Sequence, residues 1–165
     1  MLCEKVLGNL REDKYKDIIV DYVDVEWYEA FKKLHRKITH SGEEIGIRLD
    51  NDILVKGLNQ GDVLYADEKK AVAVNIPECE VITVNVEDCC LIPKVCYEIG
   101  NRHAALFYGD NEMEFITPYN QPMFEMLNKI HMHKEGICFR VTAEKKILKL
   151  NFDKAVSSAI NNHTH

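Results

Sequence analysis

Apolar and polar positions divide the chain into two stretches of different rhythm. In the first, Leu2 to Leu7 and Ile18 to Val25 gather apolar and β-branched residues, and Ile45, Ile47 and Leu49 alternate with Glu44, Gly46 and Arg48. A period of two is that of a half-buried strand. Ser41-Gly42 marks a turn, Gln60-Gly61-Asp62 turns the chain into Val63-Leu64-Tyr65, and a charged turn at 67–70 leads into the unbroken run from Ala71 to Ile76. Such a run predicts a strand covered on both faces. One segment resists the pattern, because Trp27, Phe31, Leu34 and Ile38 fall at helical spacing, so periodicity alone predicts a helix over 26–38.

Pro77 marks a change, since proline cannot donate to a strand ladder and holds the residue before it extended. Beyond it, Val81, Ile82, Val84 and Val86 predict a strand, and Asp88 is placed to cap a helix carrying Leu91, Ile92, Val95, Cys96 and Ile99, with Gly100-Asn101 as its stop. Residues 105–108 and 113–116 predict a hairpin about Gly109-Asp110-Asn111. A second helix follows over 121–130, with Pro122 in its first turn, and Ile137, Phe139 and Val141 alternate as a last strand. The order β-α-β-β-α-β is the ferredoxin-like split βαβ. The fold class is therefore α+β: an all-β domain over 1–76, a ferredoxin-like βαββαβ domain over 77–150, and a flexible tail over 151–165 carrying His163 and His165.

Composition narrows the function. With 46% hydrophobic and 29% charged residues the chain is that of a folded protein, and disorder is excluded. Its net charge of −6, spread evenly between the halves, provides no clustered positive field, so no nucleic-acid partner is expected. The sequence contains no apolar run approaching the ~18 residues of a membrane span and no export signal, so we expect a cytoplasmic protein that meets no membrane. Six cysteines are then reduced, and without a C-x-x-C they read as buried small side chains, vicinal Cys89-Cys90 included.

The remaining chemistry lies in seven histidines. In an extended segment, residues i and i+2 face one side, so His163 and His165 can chelate one ion; the bland reading is a solvated chain end. His131 and His133 form a second such pair and read as a solvated helix end. His35 lies among Lys32, Lys33, Arg36 and Lys37 on what reads as a solvated face, and His40 reads as exposed. His103 is seven residues beyond Cys96, about 10.5 Å along a helix, too far for the two to share an ion.

From Cys96 through Gly100-Asn101-Arg102-His103 to Leu106 the chain resembles UreE, the nickel-binding urease accessory protein family, and Glu4 to Leu10, Gly42 to Leu49, Leu58 to Leu64 and Ala71 to Ile76 are similar to its first domain. The resemblance implies an N-terminal domain of peptide-binding type, a ferredoxin-like metal domain and an extended 26–38 segment, which we adopt over the helix. It also implies a homodimer in which a twofold axis presents His103 twice, with His163 and His165 completing an imidazole site for about one Ni(II) per dimer, Zn(II) being the alternative occupant. Tyr119 and Gln121 stand where some members carry a further H-x-H, so no metal role is expected there; His131 and His133 match no family position and are at most auxiliary ligands.

The function this implies is that of a non-enzymatic nickel metallochaperone, passing Ni(II) by ligand exchange to the urease accessory GTPase UreG and the urease maturation complex. Two other classes of function fit the same residues. A metal-dependent hydrolase would need an open coordination position beside a carboxylate base. A metal-independent protein-binding adaptor would bind its partner regardless of chelator.

Overall fold

The computed structural model of the chain describes residues 1–134 and 137–156, with residues 132–134, 137 and 138 described by backbone alone. These fall into two compact units, one over Met1–Pro77 and the other from Glu78 onward. No helix among the described residues is long and apolar enough to cross a membrane.

The first unit holds two sheets. In the smaller, β1 (Leu2–Cys3) runs parallel to β5 (Glu44–Arg48), which pairs antiparallel with β4 (Leu34–Ile38). The larger has the order β2 (Gly8–Asn9), β6 (Asp62–Ala66), β7 (Lys70–Asn75), β3 (Ile19–Asp24), with β3 and β7 parallel. The alternation read along β5 is real: Ile45 and Ile47 are buried and Glu44 and Arg48 exposed. Ala71 to Val74 are completely buried because β7 has strands on both sides and packing on both faces. Gly61, at φ +81°, makes the turn before β6, and the Asp67 carboxylate accepts the backbone N–H groups of Lys69 and Lys70 (both 2.8 Å) to close the turn before β7.

Residues 26–38 are not a helix. A single 3-10 turn at Trp27–Glu29 precedes β4, whose Leu34 and Ile38 are exposed while Phe31 and His35 are buried. Pairing with β5 determines the conformation, and the helical spacing of apolar residues has no counterpart in what is buried. His35 thus belongs to the core, its Nε2–H donating to the Lys32 carbonyl at 3.0 Å, and the basic run is solvated only in part. A one-turn helix α1 (Ile53–Lys56), unexpected from the pattern, ends at Gly57 with φ +68°.

The second unit is ferredoxin-like. β8 (Cys79–Val86), α2 (Ile92–Gly100, entered through a 3-10 turn at Cys89–Leu91), β9 (Phe107–Tyr108), β10 (Glu114–Pro118), α3 (Gln121–Leu127) and β12 (Ile137–Leu148) follow one another. The sheet order is β12-β8-β10-β9, all antiparallel. An additional edge strand, β11 (His131–Lys134), pairs with the start of β12. Residues 131–133 are therefore in a strand rather than at a helix end, and α3 stops at Leu127, three residues before the pattern suggested. Ile82, Val84 and Val86 of β8, Val95 and Ile99 of α2, Met123 and Leu127 of α3, and Val141 form the core between helices and sheet.

After β12 the chain returns to the far edge of this sheet. Phe152 packs edge-on against the buried Phe107, with ring centroids 5.9 Å apart, and Ala155 bridges Phe107 in antiparallel sense. The Lys154 ammonium donates to the Gly109 carbonyl at 3.0 Å and pairs with Asp110 at 3.1 Å. The Val156 N–H donates to the Leu106 carbonyl at 2.8 Å. Residues 151–156, which sequence assigned to the tail, are thus packed on the domain; His163 and His165 lie outside the described residues.

Candidate functional site

The end of α2 forms the site around His103. The Arg102 N–H donates to the Ile99 carbonyl (3.2 Å), the His103 N–H to Gly100 (2.9 Å), and the Ala104 N–H returns to Ile99 (3.3 Å). These last two bonds define a Schellman motif with His103 at the C′ position. Ala104 supplies the usual apolar contact, packing against the core that holds Ile99. The Arg102 guanidinium reinforces the end, donating to the Glu98 carbonyl (2.9 Å) and carboxylate (2.7 Å). Thus Arg102 satisfies one of the carbonyls that a helix terminus leaves unpaired.

His103 has φ +54° and is the one non-glycine residue with positive φ among the described residues. C′ is ordinarily glycine, because a Cβ there costs about 1–2 kcal/mol. Gly100, which sequence offered as the stop, lies inside the helix instead, without a positive φ. An exposed histidine thus occupies the place where glycine is favoured, at a helix C-terminus whose dipole attracts cations. A strained, exposed side chain of this kind points to function.

The other histidines fall elsewhere. His131 is exposed on β11, opposite Arg140 in the register, and His133 stands opposite Cys138. His40 is exposed and donates through Nε2 to the Asp24 carboxylate at 2.9 Å. Hydrogen bonds from the Asn75 amide (2.7 Å) and from His40, opposed by partial burial, hold the Asp24 carboxyl below its usual value. Burial pushes the His35 imidazole below its ordinary value, which favours the neutral ring in the fold.

Among the described residues, the one grouping of three His, Cys, Asp or Glu donors with all ligand atoms within 4.8 Å is Asp88, Cys89 and Cys90. Sequence read these cysteines as buried small side chains; both are exposed, because they form the solvent side of the 3-10 turn that opens the helix. Their adjacency was visible in the chain, but their exposure was not. Of the other cysteines, Cys3 is buried, and burial raises the thiol pKa of both Cys3 and the half-buried Cys96.

Comparison with known proteins gives a consistent result. Residues 3–77 match the family described as UreE urease accessory protein, N-terminal domain. The chain is 42% identical over 147 residues to the urease accessory protein UreE of Helicobacter pylori strain G27, covering 89% of this chain and 86% of that protein. The proteins of the same name from Helicobacter acinonychis and Acetivibrio thermocellus are each 40% identical, over 89% and 78% of this chain and 86% and 81% of their own lengths.

Proposed function

Because the chain belongs to the UreE family of urease accessory proteins, we propose that it serves urease maturation as a nickel carrier. In this reading two chains pair about a twofold axis that brings their His103 side chains to one Ni(II), with Zn(II) as the competing occupant. His163 and His165 supply further imidazoles. Ni(II) accepts such a nitrogen-rich site, and an exposed one can release its ion. The protein works in the cytoplasm, and the receiver is the accessory GTPase UreG within the maturation complex. The relatives are named as accessory proteins, which supports a carrier over a catalyst.

The observation that carries this reading is the left-handed, solvent-facing His103, held against its conformational preference at a helix C-terminus. Two features agree with it. Tyr97, one turn before the end of α2, is 67% exposed, and a side chain added at Gly100 would meet nothing within 4 Å, leaving a surface that a second copy could cover. Calorimetric Ni(II) titration at neutral pH tests the assignment on the full chain, on His103→Ala and on a chain ending at Asn162. Loss of the tight site in His103→Ala, at about one ion per dimer in the full chain, with only weakened binding on truncation, is the expected result. Undiminished binding by His103→Ala would remove His103 from the site.

A further inference from the structure

Cys89 and Cys90 are exposed thiols at the start of the 3-10 turn, and the Asp88 side chain stands beside both. One Asp88 oxygen accepts the Cys90 N–H at 2.7 Å, which fixes the carboxylate against the turn. That backbone bond first, with the nearby Cys90 and Cys89 thiols, holds Asp88 below the usual carboxylate range. The hydrogen bond to Asp88 and that group's charge push the Cys90 thiol up. Asp88 makes no ion pair among the described residues. Two thiols and a carboxylate therefore meet at one solvent-facing turn, each thiol able to supply an anionic ligand atom once its proton is displaced.

We propose that Asp88, Cys89 and Cys90 form a second, sulfur-rich metal site for a thiophilic divalent cation of the Zn(II) class, independent of His103. The ligand atoms lie within 4.8 Å of one another. Tetrahedral Zn(II) holds two thiolates about 3.8 Å apart, so a small side-chain rotation completes the geometry, with water in the fourth position. Binding releases the two thiol protons as two S–Zn bonds form, with no change in oxidation state. Two thiolates and a carboxylate around a divalent ion leave one net negative charge, which suits a helix N-terminus. The two sites are at opposite ends of α2, about 20 Å apart along the helix rise, too far to share an ion.

Cobalt(II) is the probe, since thiolate ligation gives a near-ultraviolet sulfur-to-metal charge-transfer band that an imidazole site lacks. The reduced, anaerobic full chain and His103→Ala are both expected to develop the band, and Zn(II) to erase it. The Cys89→Ser/Cys90→Ser variant should lose it, and Asp88→Asn should bind at least fivefold more weakly. All substituted groups are on the surface, and circular dichroism checks that the fold is kept. The proposal is overturned if the wild type gives no band, if the double serine variant keeps it, or if Asp88→Asn binds as the wild type does. Because the band is read in the His103→Ala background as well, failure of the nickel assignment and failure of this one are separate results.

Discussion

The backbone N–H of Val156 donates to the carbonyl of Leu106 (2.8 Å), one step after Ala155 bridges Phe107, so residues 155–156 run antiparallel to the start of β9. Leu106 is itself only three residues from His103, so this contact ties the chain after β12 to the segment that follows the candidate site.

Replacing His103 by glycine separates the cost of the site from its use. Glycine adopts positive φ without penalty, so His103→Gly should raise stability by about 1 kcal/mol while eliminating tight nickel binding. Urea unfolding and calorimetry on the same preparation measure both. A destabilised variant would mean that the imidazole holds the fold together.

Phe152 is 8% exposed against Phe107. Truncation to alanine should destabilise the second unit by about 3 kcal/mol and release the chain end. Amide exchange at Val156 reads the release directly: it should approach the unprotected rate in Phe152→Ala while the amides of β8 remain protected.

Asp21 sets an acid limit on the first unit. Burial would raise its pKa, but hydrogen bonds from the Ser41 and Thr39 hydroxyls, the Ser41 N–H (3.1 Å) and the Lys70 ammonium outweigh burial and bring it down to about 2. The folded pKa is below the unfolded value near 3.9, so the stabilisation, of the order of 2 kcal/mol, is complete above about pH 4 and lost as pH falls through 2. Urea midpoints from pH 5 to pH 2 should show that slope in the wild type and a shallower one in Asp21→Asn.

His35 acts on a higher pH window. Its imidazole is buried, and burial lowers its pKa below the ordinary value. The unfolded chain therefore takes up a proton first, so stability present above about pH 6.5 declines as the solution is acidified toward the folded pKa. His35→Gln, which keeps a donor for the Lys32 carbonyl, should flatten this part of the profile. An unchanged slope would assign it to another group.

What could be read from the sequence depended on whether a local rule also fixed the partner. Ile45 and Ile47 alternate because one face of β5 is covered, and Asp88 marks a helix start because its own carboxylate accepts the Cys90 N–H. Both signals are local. The segment containing Leu34 and Ile38 misled because hairpin pairing with the next strand, β5, determined its conformation and left those apolar residues outside. The β11 pairing was too short to show a period. At the candidate site the identity of His103 came from its Gly-Asn-Arg-His setting, while its left-handed backbone could not be read, since nothing in a histidine codes for the place of a glycine.

The Schellman motif has one more consequence. With its own N–H tied to Gly100 and the next N–H tied to Ile99, the backbone beneath the His103 imidazole is ordered by folding, before any ion arrives. The configurational entropy that a loop ligand would lose on coordination has already been lost here. Binding at this position therefore begins from a preorganised donor, and the ordering that remains at capture falls on the other ligands.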